Sequence, residues 1–128
     1  MLIENLKLKL ESDQVAWQAT GVPGIRILPL EPAEIVRGGE APKDTTVLVR
    51  MEPGFGYPAH RHLGLEQVLI LQGGYRDETG EHGLGSYLRY EAQSVHAPVA
   101  LGDSEQPAGA DNPACVLFAV SVGGIERA

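Results

Sequence analysis

The sequence predicts an all-β fold, a sandwich or barrel built from short strands. Sixteen glycines and nine prolines in 128 residues cut the chain into pieces too short for ordinary helices. No dozen-residue window carries an apolar stripe at helical spacing. The segments between the turn residues alternate apolar with polar side chains or are rich in Val, Ile, Leu and Thr, and they recur at close, regular spacing.

Taken in order, Leu6-Lys7-Leu8-Lys9-Leu10 alternates strictly and reads as a strand with one dry and one wet face. Trp17 to Thr20 is a second short strand, ended by Gly21 and Pro23, with Trp17 as a core or edge anchor. Ile25 to Leu30 is a third, closed by Glu31-Pro32. Ala33 to Asp44 holds one turn of helix around Glu34 to Arg37, and Gly38, Gly39 and Pro42 make the rest a loop. Thr45 to Met51 is β-branched and apolar, a strand ending at Pro53-Gly54. His60 to His62 is extended, Leu63-Gly64 breaks it, and Glu66 opens the apolar run Val68 to Leu71, a buried strand. Tyr75-Arg76-Asp77-Glu78-Thr79-Gly80 has the chemistry of a hairpin turn, with Gly80 free to take positive φ. Gly85 to Tyr90 returns as a strand and Ser94 to Leu101 follows as another. Gly102 to Pro113 is a polar Gly/Pro-rich loop, and Cys115 to Val122 is the last apolar strand. Neither an internal repeat nor an interdomain linker interrupts residues 1–128, so one domain is expected.

Composition sets wide bounds. Hydrophobic content of 43% and charged content of 21% are globular values. A net charge of −7 argues against a nucleic-acid partner or an anionic membrane surface. The start, MLIENLKLKLE, interleaves lysine with leucine and does not read as a signal peptide, and no apolar run is long enough to cross a bilayer. A single cysteine, Cys115, excludes an internal disulfide and fits a reducing, cytoplasmic setting.

The chemistry concentrates between Gly54 and Gly73. In an extended strand His60 and His62 point the same way and Arg61 the other. Glu66 follows four residues later, at a spacing that returns the chain to the same wall, and His96 on a later strand is placed to close the set. Imidazole and carboxylate together suit Zn, Fe, Mn and Ni rather than Ca or Mg. Three neutral imidazoles and one carboxylate leave a divalent ion with a net charge near +1. Iron, manganese or nickel then has open positions for a substrate, whereas zinc can close as a tetrahedron. Tyr87, Arg89 and Tyr90 lie on the strand leading to His96 and are candidates to line the pocket. His82 reads as a solvated loop residue rather than a ligand, and Cys115 as a buried small hydrophobe rather than a redox group.

Gly54, five residues, His60-x-His62, three residues, Glu66, six residues, Gly73 resembles the first sequence motif of the cupin superfamily at every fixed position. The second cupin motif is matched by Gly85 and His96; its usual Pro-x-Gly is Glu91-Ala92-Gln93 here, and its terminal Asn falls on Ala100. The segments TTVLVRMEPG, HRHLGLEQVLILQGG, YRDETG and GSYLRYEAQSVH, in that order, resemble the cupin domain of ChrR-type anti-sigma factors and their free-standing relatives, over roughly residues 17–122. The resemblance implies a small jelly-roll barrel with one metal inside, held by His60, His62, Glu66 and His96. ChrR proteins carry a helical sigma-binding domain ahead of the cupin; this chain shows none, and the anti-sigma activity is not carried over.

Two classes of function follow. One is a metalloenzyme, a mononuclear dioxygenase-like cupin acting on a small organic molecule such as an acid or diketone. The other is a non-catalytic metal- or ligand-sensing module like the ChrR cupin domain, working through a protein partner. A homodimer is expected from the apolar run Val68 to Leu71 and from the alternating Leu6 to Leu10, read as a strand able to join a neighbour's sheet.

Overall fold

The computed structural model describes residues 2–31 and 44–128. The helical turn expected around Glu34 to Arg37 lies outside the described residues. Short strands dominate: β1 Gln18–Ala19, β2 Ile25–Glu31, β3 Thr45–Met51, β4 His60–His62, β5 Glu66–Gln72, β6 Gly74–Asp77, β7 Gly80–Gly83, β8 Tyr87–Tyr90, β9 Val95–His96, β10 Val99–Ala100, β11 Cys115–Ser121 and β12 Ile125–Arg127. Antiparallel pairing assembles a six-stranded sheet in the order β1-β2-β3-β11-β5-β8 and two three-stranded sheets, β10-β6-β7 and β12-β4-β9. Side chains from all three sheets, among them Ile25, Leu117, Tyr75 and His60, line one internal cavity. The all-β jelly-roll architecture predicted from the sequence is the one observed.

The alternation in β5 shows how the barrel is filled. Val68 and Ile70 are buried, whereas Leu69 between them is 38% exposed. The run expected to be dry on both faces is therefore dry on one. Val68 and Ile70 join Ile25, Met51, Tyr75, Tyr90, Cys115, Leu117 and Ala119 in one core cluster. At about 25 cal/mol per Å² of apolar surface removed from water, such clusters supply the main driving force for closing the barrel.

Three local expectations are corrected. Leu6 to Leu10 is not a strand but the start of a helix, α1 Leu6–Glu11. Leu, Lys and Glu are strong helix formers, and no β-branched residue opposes them. Lys7 and Glu11 pair at 3.9 Å one turn apart, and Ser12 Oγ donates to the Leu8 carbonyl at 2.7 Å. Leu6, Lys9 and Leu10 are half-buried while Leu8 is 61% exposed, a helical spacing rather than a period of two. Ser94 to Leu101 is not one strand: β9 pairs with β4 and β10 with β6, and the chain changes sheets at Ala97-Pro98. Pro98 has no N–H to give a ladder. The returning strand expected from Gly85 is regular only over Tyr87–Tyr90.

Candidate metal centre

β4 delivers two histidines to one wall, as a two-residue period requires. His60 is 5% exposed and His62 0% exposed, with half-buried Arg61 between them facing away. β9 lies antiparallel to β4 with His96 directly opposite His60, so register brings the third imidazole in. Ring centroids stand 4.5 Å apart for His60 and His96, 4.7 Å for His62 and His96, and 5.0 Å for His60 and His62. One ligand atom from each histidine lies within 4.8 Å of the other two, a spacing that can hold a metal ion.

Hydrogen bonding turns each ring the same way. His60 Nδ1 donates to the Pro58 carbonyl at 2.9 Å and His62 Nδ1 to the Ser94 carbonyl at 3.1 Å. His96 Nδ1 donates to Asp77 Oδ2 at 3.0 Å. With Nδ1 occupied on all three, each Nε2 carries the free lone pair. The Nε2 atoms of His62 and His96 are buried and have no hydrogen-bond partner among the described residues. A buried polar atom left unpaired is costly, and two orphaned lone pairs converging on one point fit a divalent cation well. Glu66 Oε1 approaches His62 Nε2 to 3.5 Å without a hydrogen bond, and its side chain is 14% exposed. Burial pushes the imidazoles of His60 and His96 below the usual histidine range, in His96 against the opposing pull of the Asp77 hydrogen bond. Neutral imidazole is the form that binds metal.

The remaining candidates sort by strand parity. Tyr90 is 6% exposed and stacks on His62 at 5.1 Å between centroids. Tyr87 and Arg89 point out of the barrel: Tyr87 is 57% exposed and donates to Gln67 at 2.7 Å, and Arg89 pairs with Glu91 at 2.9 Å. None of the three, Tyr90 included, lines the cavity. His82 is not a free loop residue; it sits on β7 with an 18% exposed side chain and donates to Thr79 Oγ1 at 2.7 Å. Cys115 is fully buried, and burial pushes its thiol up to about 12. Gln93 takes φ +74°, so the turn before His96 adopts a left-handed residue where the second motif carries glycine.

Sequence reasoning missed Asp77, placing it only in a hairpin turn. Its side chain is 0% exposed, and burial raises its pKa. Hydrogen bonds from Thr79, Tyr90 and His96 outweigh that penalty and hold the carboxyl well below its usual range. The signal was parity: Tyr75 and Asp77 share a face of β6, and Tyr75 is an aromatic of the core.

Beside the histidines opens a cavity of about 310 Å³ whose wall includes His60, His96 and Glu66 and is otherwise mostly aliphatic. No described helix is long and apolar enough to cross a membrane.

Residues 7–107 match the model of the ChrR cupin-like domain. The anti-sigma-E factor ChrR of Cereibacter sphaeroides is 38% identical over 90 residues, 69% of this chain. The chain spans 37% of that protein's length. Rhodobacter sphaeroides ChrR, solved in complex with SigE, superposes with a TM-score of 0.63 at 30% identity, over 85% of this chain and 49% of that one. A putative acetylacetone dioxygenase from Methylibium petroleiphilum shares the fold, with a TM-score of 0.66 at 16% identity over 92% of this chain and 78% of its own. With the histidine cluster in a barrel of this shape and a family match across most of its length, the chain belongs to the ChrR cupin-like domain family.

Proposed function

We propose that the chain is a mononuclear metalloenzyme of dioxygenase type, taking a small, largely apolar organic molecule in the cavity beside one divalent metal. His60, His62 and His96 would hold the ion through Nε2, with Glu66 as the anionic ligand. The observation that carries this reading is the pair of orphaned Nε2 atoms on His62 and His96, in a histidine cluster of which His60 and His96 line a cavity of about 310 Å³. A structural zinc closed by four protein ligands has no use for an adjoining cavity, whereas iron, manganese or nickel keeps positions for a substrate. Such an ion supplies Lewis-acid or O₂ chemistry when bound. The chain's own residues do the rest: neutral His60 and His96 present lone pairs, the aliphatic walls exclude water, and Glu66 compensates charge. Metal analysis of the wild type and the His60→Ala/His62→Ala variant tests the site, with one equivalent per chain expected in the first and none in the second. Full occupancy in the variant would place the metal elsewhere. O₂ uptake by the iron-loaded protein with a panel of small acids and diketones tests turnover.

A second reading, a non-catalytic sensing module acting through a protein partner in the cytoplasm, is favoured by the 38% identity to an anti-sigma factor. Metal identity separates the two: closed four-coordinate zinc supports the sensor, and a redox-active five- or six-coordinate ion the enzyme. Self-association belongs to either reading. Its support is the pair Leu69 and Tyr87, in register across β5 and β8 and 38% and 57% exposed on the sheet's outer face.

A further inference from the structure

The hairpin of β6 and β7 is joined to the metal centre by a buried hydrogen-bond chain. Asp77 ends β6, and its two carboxylate oxygens have separate work. Oδ1 accepts from the Thr79 N–H at 2.9 Å and from Thr79 Oγ1 at 2.6 Å, fixing the turn; His82 Nε2 approaches it at 3.3 Å. Oδ2 accepts from Tyr90 Oη at 2.6 Å and from His96 Nδ1 at 3.0 Å. Tyr75 Oη then donates to Tyr90 Oη at 2.5 Å. Tyr75 is 1% exposed and reaches the cavity wall, so the chain runs from a candidate ligand histidine to the lining of the pocket.

The three histidines are not oriented alike in strength. His60 and His62 lean on backbone carbonyls of Pro58 and Ser94, which carry partial charge. His96 alone leans on a full carboxylate, itself pinned by donors on two sides. A hydrogen bond to an ionised carboxylate is about twice as strong as one to a neutral carbonyl. It fixes the tautomer, aims Nε2 and raises the basicity of the ligand atom.

We propose that Asp77 is the positioning residue of the metal centre, acting through His96, with Tyr90 and Thr79 holding its carboxylate and the β6–β7 hairpin thereby setting metal affinity. This rests on His96 being a metal ligand. The test is Zn²⁺ affinity, by competition with a chromophoric chelator, for wild type, Asp77→Asn, His96→Ala and the double variant. The Co²⁺ absorption spectrum is recorded alongside, as a readout of coordination geometry that folding alone does not move. Asp77→Asn is expected to weaken Zn²⁺ binding about 10- to 100-fold and to alter the Co²⁺ spectrum when His96 is present. In the His96→Ala background it should change affinity by less than about threefold, because the group it acts through is gone. An equal loss in both backgrounds makes the role general and structural and overturns the proposal. So does an unchanged affinity in Asp77→Asn. If Asp77→Asn does not fold, Tyr90→Phe in the same two backgrounds takes its place. It keeps the ring on His62, and its expected loss is about 2- to 10-fold, again only with His96 present. A wild type that binds no Zn²⁺ removes both the metal centre and this inference; one that binds it while both substitutions are silent removes the inference alone.

Discussion

Among the described residues Glu66 is the one carboxylate lining the cavity, so in the proposed metal centre charge compensation of the ion would turn on it. Glu66→Gln keeps the shape and one carbonyl oxygen and deletes the charge. Metal binding is expected to weaken but to recover at higher metal concentration, with the metal-free melting temperature within a few degrees of wild type. Metal titration followed by melting checks this, and equal affinity in both proteins removes Glu66 from the ligand set. Gln93 offers a second single-residue test. Its left-handed backbone, φ +74°, costs a side-chain-bearing residue about 1 kcal/mol that glycine avoids. Gly's greater freedom in the unfolded chain offsets part of that gain. Gln93→Gly should therefore raise stability by up to about 1 kcal/mol, read from denaturant melts, and a clear loss would mean the turn is relaxed as it stands. That His60 and His62 share a wall was legible from strand parity, whereas His96 joins them through the β4–β9 register. Asp77 was not legible, because one oxygen does what the sequence advertises, closing a turn onto the Thr79 N–H, and the other serves His96, nineteen residues away.

At the scale of elements, strands were readable where a β-branched or apolar run met a Gly or Pro boundary, as in β3, β5 and β11. Several were not, the β6–β7 hairpin among them, and three cases show distinct physical reasons. In Leu6–Glu11 a period-two pattern of Leu and Lys competes with residues that favour helix, and helix prevails. The break at Pro98 needed knowledge of which sheet each half would join. β12 Ile125–Arg127 is exposed along its whole length and carries no burial signal; its place is set by pairing with β4, where Ile125 stands opposite His62 and Arg127 opposite His60. The break between β4 and β5 has its own requirement. A Cβ built on Gly64 would lie 2.2 Å from the Val122 carbonyl oxygen, a contact only backbone movement relieves. Gly64→Ala is expected to destabilise the fold by about 1–3 kcal/mol and to weaken metal binding, since Gly64 lies between His62 and Glu66. Calorimetry and metal titration of the variant check both, and an unchanged melting temperature would show that the β4–β5 connection yields freely.

For the whole molecule, the histidine cluster makes barrel stability and metal occupancy two readings of one proton balance. The unfolded chain titrates its histidines near the ordinary 6.5, while burial holds His60 and His96 below that value in the barrel. As the pH falls below 6.5, the unfolded chain takes up protons that the folded barrel refuses, so stability is lost. The slope reaches about 1.4 kcal/mol per pH unit for each histidine protonated only when unfolded, and the loss ends as the pH passes through the depressed folded values. Glu52 extends the decline below 4.5. Burial alone would raise its pKa, but Arg50 and Arg26 outweigh burial and lower it, so protonation favours the unfolded chain there too. The metal-free protein should thus melt at nearly constant temperature from pH 8 to 7 and at progressively lower temperature from 6.5 down. Zn²⁺ at a hundred times its dissociation constant should add about 2.7 kcal/mol near neutral pH, or about 10 °C for a chain of this size. Because protons compete for the same Nε2 lone pairs, that increment should hold through pH 7 and shrink in acid. The His60→Ala/His62→Ala variant should lose the metal increment and keep the part of the acid slope that belongs to His96. Melting curves with and without Zn²⁺ from pH 8 to 5 make the measurement. A metal-free melting temperature flat across that range would mean that His60 and His96 are free to protonate in the folded barrel, and the buried site described for them would not stand.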